Sequence, residues 1–454
     1  MKPLNIYALI NMDELHASYY YRLQMPLQTM EKLGLPVQVF VDPITGDVPS
    51  NTRANGLMWS DIVWMYQATD PLMRRNISVI SKCNAVEQNG QVFLPANFVI
   101  DSDDNLFNVH HLNPAFRRLG VHRPDGTILS PGDTITCEND EGKVTLEWKD
   151  GVNGFNISEN IERLENFRSL CQAAKYMTTS TPRCEQYLKE EMGKEVETFV
   201  NYNSVRFDHY DDVALAPHKE IRIMWQGSDT HYDDLFRIRK ALQNVIKKYP
   251  EAKLIMWGLH SPALLGDIPP ERIKLIPWLP YDTYHVKLVT VGPDINICPL
   301  TPTQFNNSRS AIKWYEASLL HDPAATIAQR AGAYQDEIEH GKTGLLFDTP
   351  NEFEEQLCTL IENEKQRREL ASNAKDWVHE NRDAFKVVPK LYEWFQQIRV
   401  KKRASTPIEV VPNEPFPAID PNVHSRPAKS RARSVARKRR GNARPRRRRN
   451  PASL

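Results

Sequence analysis

Closely spaced cysteines are missing from this sequence of 454 residues. Zinc sites and the disulfide frameworks of secreted domains both use cysteines that lie a few residues apart, so the sequence predicts neither kind of site. Thiols scattered in this way fit a protein that is kept in a reducing compartment. The six cysteines are Cys83, Cys137, Cys171, Cys184, Cys298 and Cys358.

Long hydrophobic runs are missing as well. Hydrophobic residues make up 41% of the chain, but no apolar run approaches the ~18–20 residues that a membrane-spanning helix needs. The amino terminus, MKPLNIYALINMDELH, has an apolar run typical of a strand, followed by an acidic segment without a small-residue cleavage site. We therefore expect no membrane span, no export signal and a cytoplasmic location.

Acidic residues are absent after Asp420, although the formal net charge of the chain is only +1. Of the 58 Lys and Arg residues, thirteen lie between Arg426 and Arg449. The remaining 45 basic residues stand against 57 acidic ones in positions 1–425, which gives that part a net charge of −12. The body and the carboxyl-terminal segment therefore carry opposite charge.

The basic tail, residues 426–449, has too few apolar side chains to offset the entropy lost on folding, so we expect it to be disordered. A basic run of this kind binds polyanions, because each neutralised phosphate releases counterions. Nucleic acid is the partner that this composition favours. The alternatives are that the tail docks on the acidic body of the same chain, or only aids localisation.

Short apolar runs alternate with helical patterns along the body, which is typical of a doubly wound α/β fold. The predicted strands are NIYALI, PVQVFV, DIVWMY, NFVID and KYMTTS in the first half and IRIMWQG, KLIMWG, IKLIPW, DINICPL and AATIA in the second. The break between the two predicted sheets falls near residues 199–215. The sequence therefore predicts two α/β domains.

The predicted domains follow from that break. Within the first domain, alternating apolar residues in KVTLEW and a turn at NDEG predict an inserted β-hairpin over about 121–150. The predicted segments are an amino-terminal domain over 1–205, a second domain over 206–382, a helix over 383–400 that packs back on the first domain, and a disordered linker and tail over 401–454.

A lysine and a glutamate interrupt an otherwise apolar helical stretch, FNNSRSAIKWYEASLL, at residues 305–320. Asn306, Asn307 and Ser308 are good N-cap residues, so one helix is predicted to begin there. Its predicted buried stripe consists of Ile312, Tyr315 and Leu319. The helix follows the strand DINICPL, and ligands of open α/β sheets bind where strands end and helices begin.

Lys313 and Glu316 share a face next to the buried stripe of this helix. A helix start furnished with Ser308, Arg309, Ser310 and Lys313 suits a diphosphate, and a carboxylate one turn further along suits a ribose diol. The predicted ligand is therefore a nucleotide with an extended phosphate. The alternative is that Lys313 and Glu316 form an ordinary i,i+3 ion pair on a solvated helix.

These motifs, in this order, resemble the nucleotide-binding half of a GT-B-fold glycosyltransferase of the large retaining group (group 1, family 4-like) that includes glycogen and sucrose synthase relatives. The resemblance covers IRIMWQGS, DINICPL, FNNSRSAIKWYEASLL, AATIA and IEHGKTGLLF in residues 221–348. In the first half, SYYYR, DSDDNLF and TTSTP resemble a subset seen in phages and bacteria. The resemblance implies two Rossmann-like domains that face a cleft.

The resemblance also implies roles for individual residues. The group has two glutamates with seven residues between them; Glu316 matches the second, which binds the donor ribose, and Ser308 stands in place of the first, so Asn306 or Asn307 is expected to substitute. A basic residue common in the group is missing from the loop GSDTHYDD. The implied donor-binding residues are Gly227, Ser228, His231, Asn307, Ser308, Arg309, Ser310, Lys313 and Glu316. Neither a metal nor a cofactor is expected.

Acceptor chemistry is expected from the first half, where carboxylates and histidines follow a predicted strand. The cluster consists of Asp101, Asp103, Asp104, His110 and His111, and the catalytic candidates for proton removal are Asp103, Asp104 and His111. Alternatively, the aspartates form a divalent-metal pair or cap the next helix, and the histidines are ordinary surface residues. His231 likewise is either a ligand or a neighbour of a helix cap.

Three functions fit these observations. The first is transfer of a sugar from a nucleotide-diphosphate sugar to hydroxymethylated bases in phage DNA, with the tail holding nucleic acid in the host cytoplasm. The second is a glycosyltransferase that acts on a cell-surface glycan or on protein. The third is a non-catalytic nucleic-acid-binding protein on a GT-B scaffold, suggested by the replaced glutamate.

Overall fold

The structure is a computed structural model of the chain. It describes residues 2–10, 17–43, 56–57, 60–69, 86–88, 91–93, 96–138, 144–193, 195–209, 218–258, 262–266 and 268–405. The turn predicted at NDEG and the basic tail both lie outside these described residues. The predicted disorder of the tail therefore stays a prediction.

The first sheet is parallel and has six strands. The strands of this part of the chain are β1 (Leu4–Ile10), β2 (Val37–Pro43), β3 (Ile62–Tyr66), β4 (Val86–Gln88), β5 (Gln91–Phe93), β6 (Asn97–Ser102), β7 (Thr134–Glu138), β8 (Val144–Lys149), β9 (Tyr176–Thr179) and β10 (Glu197–Val200). The sheet order is β10-β9-β6-β3-β1-β2. β3 and β6 are buried throughout, since a parallel sheet is covered on both faces.

The second sheet is also parallel and six-stranded. Its strands are β11 (Ile221–Gly227), β12 (Ala252–Gly258), β13 (Ile273–Ile276), β14 (Ile295–Cys298), β15 (Ala325–Gln329) and β16 (Leu345–Phe347). The order is β13-β12-β11-β14-β15-β16, so the direction of strand addition reverses between β11 and β14. The two sheets confirm the predicted α/β fold class. We call residues 2–209 the N-half and residues 218–382 the C-half.

Helices connect the strands and cover the sheets. They are α1 (Ala17–Tyr19), α2 (Met25–Lys32), α3 (Phe116–Leu119), α4 (Ile157–Ala174), α5 (Pro182–Met192), α6 (Tyr232–Lys248), α7 (Pro262–Leu265), α8 (Tyr281–Val291), α9 (Gln304–Ser308), α10 (Ile312–Ser318), α11 (Gly332–Glu337), α12 (Pro350–Glu362), α13 (Glu364–Arg382) and α14 (Ala384–Ser405). A π-helical turn, Tyr20–Gln24, joins α1 to α2. Among the described residues, no helix combines the length and the apolar composition that crossing a membrane requires.

A separate hairpin lies where the sequence predicts one. β7 pairs antiparallel with β8, and Trp148 of β8 is buried against Phe116 and Phe155. The indole Nε1 of Trp148 donates a hydrogen bond of 2.7 Å to the backbone oxygen of His111. The hairpin therefore fixes the loop that carries two of the predicted N-half site residues.

The last helix, α14, contacts the N-half. Phe395 packs edge-on against Trp64 of β3, and Trp394 stacks on Phe199 of β10. Arg399 forms an ion pair of 3.0 Å with Asp61. The apolar face of α14 therefore packs on the N-half. The predicted domain limits stay a prediction.

The two halves meet where the strands of both sheets end. Ser308 in α9 accepts a hydrogen bond of 3.0 Å from the backbone N–H of Asn105, and its own backbone oxygen accepts one of 2.8 Å from Thr181. Arg183 of α5 forms a bidentate ion pair with Asp336 of α11, at 2.5 and 2.6 Å. The carboxyl ends of the two sheets are thereby brought into one seam.

Candidate functional site

The carboxyl end of β11 lies at the point where the strand order of the second sheet reverses. Ligands of open α/β sheets bind at such a point. Gly227 ends the strand, and a Cβ added there would lie 2.9 Å from the Trp225 ring, 3.0 Å from His231 Cδ2 and 3.1 Å from Lys313 Nζ. Glycine is therefore the residue that lets these three side chains meet at the strand end.

Lys313 places a cation at this strand end without a matching anion. Its Nζ lies 5.5 Å from the centroid of the Trp225 ring, and no described residue forms a hydrogen bond or an ion pair with it. Burial, reinforced by the nearby charge of Arg309, lowers the pKa of Lys313 from 10.5 to about 8. A desolvated ammonium of this kind gains free energy when an anion binds beside it.

Glu316 is buried one turn further along α10 and is held by three donors. The hydroxyl of Tyr21 in the N-half donates a hydrogen bond of 2.5 Å to Oε1. The amide of Gln226 and the hydroxyl of Tyr284 donate to Oε2, at 2.7 and 2.8 Å. Burial raises the pKa of Glu316 even though these donors and Lys313 oppose that shift. Within the described residues, Lys313 and Glu316 make no direct ion pair.

The helix predicted to begin at Asn306 is in fact two helices. Its first part, α9, begins earlier, with the hydroxyl of Thr303 accepting the backbone N–H of Asn306 at 3.1 Å. Arg309 then adopts an extended backbone with ψ of 150°, and α10 begins only at Ile312. The N-cap prediction is wrong because the polar side chains of the NNS segment make tertiary contacts instead of capping a helix.

Those tertiary contacts account for four predicted donor-binding residues. Asn306 donates to Asp234 and to the Thr301 backbone oxygen, at 3.1 and 2.9 Å. Asn307 Oδ1 accepts from the N–H of Gly332 at 3.1 Å. Ser308 is fully buried in the seam between the halves, and Ser310 Oγ accepts from Asn203 Nδ2 of the N-half at 2.7 Å. These polar groups tie elements together.

The loop after β11 provides a second polar group. Ser228 is exposed, and its hydroxyl bonds that of Thr230 at 2.7 Å. His231 is nearly buried, with Nδ1 2.6 Å from Asp234 Oδ2 and Nε2 2.9 Å from Arg309 Nη1. Both imidazole nitrogens are therefore occupied, so His231 lies beside the strand end with neither nitrogen directed to a ligand.

Arg309 links the two halves. Its Nε lies 3.2 Å from Oδ1 of Asp104, and its guanidinium carbon lies 4.7 Å from the centroid of the Phe305 ring. Burial raises the pKa of Asp104 to about 6, with Arg309 opposing the shift. Of the two candidate aspartates, Asp104 is thus the one that faces the cationic group.

Asp103 and His111 lie apart from that cationic group. Asp103 accepts hydrogen bonds from Tyr66 and Gln67, at 2.6 and 3.1 Å. The next turn is capped by Asn105 rather than by either aspartate, because Asn105 Oδ1 accepts the N–H of Phe107. Asp103 is therefore bonded within the N-half.

The ring of His111 packs against that of His110 in a tilted arrangement, with ring centroids 4.1 Å apart. Burial lowers the pKa of His111, and burial together with the charge of His111 lowers that of His110 to about 4. His110 also lines a pocket of about 10 Å³ with Thr230 and Asp234, which has room for about one water molecule. His110, rather than the nominated His111, therefore faces the C-half.

A buried ion pair beside the cleft was missed by the sequence reasoning. The guanidinium of Arg22 bonds Asp101 through Nε at 3.0 Å and Nη2 at 2.7 Å, and both side chains are fully buried. Its Nη1 also reaches Asn203 Oδ1 at 2.8 Å, and Thr178 donates to Asp101 at 2.6 Å. An arginine inside the apolar run YYYRL was the available signal.

A metal site finds no support among the described residues, which contain no group of three or more His, Cys, Asp or Glu side chains placed to hold an ion. The expectation that the site uses neither a metal nor a cofactor stays a prediction. The cations at the carboxyl end of β11 are Lys313 and, bonded to His231, Arg309.

Comparison with solved structures identifies this arrangement of two sheets around a seam. HepE from Anabaena in complex with UDP superposes with a TM-score of 0.53 at 12% identity, over 87% of this chain and 100% of its own. The chain has the GT-B fold. Sucrose-phosphate synthase from Thermosynechococcus elongatus is similar with a TM-score of 0.54 at 11% identity, over 87% and 100% of the two chains.

A glycosyltransferase from Rickettsia africae gives the same GT-B match, with a TM-score of 0.54 at 12% identity over 88% of this chain and 99% of the other. No protein-family model matches the sequence, and no curated protein matches it either. At identities of 11 and 12%, the similarity establishes the fold alone. The activity has to be argued from the side chains at the seam.

Proposed function

We propose that this chain transfers a sugar from a nucleotide-diphosphate sugar to the hydroxyl of an acceptor. The observation that carries the proposal is the ammonium of Lys313, which lies at the switch point of the second sheet and forms no direct ion pair within the described residues, although the charges of Asp234 and Glu316 act on it. Glu316 lies one turn away, where a carboxylate suits a ribose diol. A diphosphate flanked by a ribose matches both groups.

The chemistry of the transfer asks mainly for electrostatic stabilisation of the leaving diphosphate. Negative charge builds up on the leaving phosphate as the glycosidic bond opens, and fixed cations in a closed site stabilise it without reorganising. Lys313 and Arg309 are the groups that would supply this charge. The donor is then a substrate, and the mechanism uses neither a metal nor a separate cofactor.

Deprotonation of the acceptor falls to the N-half. Asp104 suits this role better than Asp103 or His111, because it faces Arg309 and its pKa of about 6 is close to working pH. When the donor phosphates take its place on Arg309, Asp104 would lose its ion-pair partner and be free to accept a proton. We expect retention of configuration at the sugar, by resemblance to the retaining group.

For the acceptor we propose nucleic acid, with hydroxymethylated bases of phage DNA as the specific case. The supporting feature is the tail between Arg426 and Arg449, with thirteen basic residues and no acidic one. The protein would then act in the host cytoplasm, and the tail would hold DNA without reading its sequence. Glycans or proteins as acceptors, and a non-catalytic scaffold, are outcomes that the tests below distinguish.

Calorimetry with a panel of sugar nucleotides tests the donor site. UDP-sugars come first, because HepE was crystallised with UDP. We expect the wild-type protein to bind one member of the panel. In a turnover assay with that donor, Lys313→Gln should lose roughly 10²- to 10³-fold. Lys342→Gln is the matched control, because Lys342 is 62% exposed and pairs with Glu339. Failure of the wild type to bind any member of the panel would leave only the non-catalytic alternative.

Deletion of residues 426–454 tests the acceptor. If DNA is the acceptor, the truncated protein should glycosylate DNA more slowly than the full chain, most of all at low salt, and with a shallower dependence on salt, while its donor hydrolysis stays unchanged. Mass spectrometry of DNA and of glycans from cells that make the active protein, compared with Glu316→Ala, identifies the product. Sugar found only on glycans or protein would refute the proposed acceptor.

A further inference from the structure

Arg309 occupies a position that local sequence does not fix. It lies in the three-residue break between α9 and α10, where its backbone N–H still donates to the Asn306 backbone oxygen but its ψ of 150° takes the chain out of the helix. A long arginine side chain in such a break loses about 2 kcal/mol of rotamer entropy when it is ordered. A guanidinium that is to meet a ligand at a defined angle therefore needs partners that hold it.

His231 is the C-half partner of that guanidinium. Burial, together with the charges of Lys313 and Arg309, lowers the pKa of His231 to about 3, so the imidazole is neutral at working pH. Arginine has only donors, so Nε2 of the imidazole accepts from Arg309 Nη1 at 2.9 Å. The ring proton then lies on Nδ1 and is donated to Asp234.

Asp234 fixes the imidazole in turn. Its carboxylate is 3% exposed and receives the His231 Nδ1–H at 2.6 Å. It also accepts the backbone N–H of Thr301 at 2.7 Å and the amide of Asn306 at 3.1 Å. Burial by itself would raise the pKa of Asp234, but these hydrogen bonds and the neighbouring cations lower it overall. The carboxylate is thus held from three elements.

The guanidinium of Arg309 and the ammonium of Lys313 both act near the end of β11. His231 Cδ2 and Lys313 Nζ lie 3.0 and 3.1 Å from one point above Gly227, the position that a Cβ would occupy there. Arg309 lies within electrostatic range of Lys313, because its charge contributes to the lowered pKa of that lysine. Like charges within electrostatic range repel each other, so an anion that contacts both groups would be favoured.

We propose that Asp234 and His231 are positioning residues that hold Arg309 as the second cation for the donor diphosphate. This inference rests on the proposed function. The loop after β11, GSDTHYDD, contains no Lys or Arg, so the second charge comes from the break before α10 instead. In the described conformation Asp104 is the carboxylate on Arg309, and the donor phosphates take its place when they bind.

A double-mutant cycle tests whether His231 affects donor binding through Arg309. Arg309→Ala should weaken donor affinity by roughly 10²-fold, and His231→Ala by on the order of 10-fold. If His231 acts only through Arg309, adding His231→Ala to Arg309→Ala should cost less than about 2-fold more. Equal losses from His231→Ala in both backgrounds would overturn the inference.

Three further measurements separate positioning from a merely structural role. His231→Gln should keep most of the donor affinity, since its amide oxygen can still accept from Arg309. Guanidinium added to Arg309→Ala should restore donor turnover when His231 is present and not in the double variant. His379→Ala is the matched control, an exposed histidine 3.7 Å from Asp383, and it should leave donor affinity unchanged.

The pH dependence completes the test. Asp104 on Arg309 has a pKa of about 6 and titrates in the same range, so the measurement is made in an Asp104→Asn background, where a neutral His231 predicts that the affinity for a sugar nucleotide is flat between about pH 5 and pH 7. Affinity that rises as the pH falls through that range, and loses this rise in His231→Gln, would make His231 a direct phosphate ligand and refute positioning. If His231→Ala does not fold, the cycle is repeated with His231→Phe, which fills the space of the imidazole but cannot accept a hydrogen bond from Arg309. Absence of any donor binding by the wild type refutes the proposed function instead.

Discussion

The phenolic oxygen of Tyr21 lies 2.5 Å from Oε1 of Glu316, across the seam between the halves and 295 positions away in the chain. The carboxylate that is proposed to hold the donor ribose is therefore already bonded by a residue of the opposite half. If ribose hydroxyls take this oxygen as proposed, they displace Tyr21, and donor binding is then coupled to separation of the halves.

Tyr21→Phe should tighten nucleotide binding. Removing the hydroxyl destabilises the ligand-free protein by about 1.5–3 kcal/mol, as expected for a lost hydrogen bond to a charged group, and leaves Oε1 for the ribose. We expect a lower melting temperature without ligand and a larger rise on addition of UDP, measured by scanning calorimetry. Tyr284→Phe is the control on Oε2 from within the C-half. Unchanged or weaker UDP binding by Tyr21→Phe would argue against the competition.

Donor affinity should fall as the pH rises through about 8, the pKa to which burial lowers Lys313. The ammonium carries its charge below this value and loses it above, while the diphosphate stays anionic. Titration of a sugar nucleotide from about pH 6 to pH 9.5 measures the change. Lys313→Arg, which stays charged over this range, should abolish it; a decline that persists in this variant would assign the titration to another group.

Lys313→Met should make the protein more stable while it destroys donor binding. The pKa of about 8 in the folded protein lies below the ordinary lysine value of 10.5, so the charged lysine opposes folding. The opposition is complete below pH 8 and disappears as the pH rises toward 10.5. We expect a gain of about 1–3 kcal/mol in urea unfolding at neutral pH. Loss of stability in Lys313→Met would mean that an anion of the chain pairs with the lysine.

The buried pair of Arg22 and Asp101 should be among the most sensitive sites of the N-half. Breaking it with Asp101→Asn leaves an unpaired buried guanidinium and should cost about 3–5 kcal/mol in unfolding free energy. Lys32→Ala, which breaks an ion pair with Asp208 that is 53% and 34% exposed, should cost less than about 1 kcal/mol. Equal losses from both variants, measured by urea unfolding, would contradict the role of burial.

The fold was predictable from sequence because it depends on local patterns. Runs such as DIVWMY and IRIMWQG predict buried strands from their own composition, and parallel sheets consist of such strands. The limits of the helices around Arg309 were not predictable, because Asn306 and Ser308 satisfy tertiary partners at Asp234 and Asn105 that no local window contains.

The candidate site was predictable only in part for the same reason. Lys313 and Glu316 stand out as charges in an apolar stretch, and Arg309 as a neighbour in the chain. Tyr21 and Asp234 carry no comparable signal, since each becomes important through a partner far away in the sequence. His231 was recognised by its place in the loop, but its role depends on which groups occupy its two nitrogens.

Ser308 joins the halves through two neutral hydrogen bonds, one from a backbone amide and one from a hydroxyl. Each contributes only about 0.5–1.5 kcal/mol, and water replaces it readily. At Ser308 the seam can consequently part and re-form at modest cost and with little sensitivity to salt, whereas the charged pairs Arg183–Asp336 and Arg309–Asp104 hold it elsewhere. The frequency with which the halves separate sets the upper limit on the rate at which a molecule enclosed between them is exchanged.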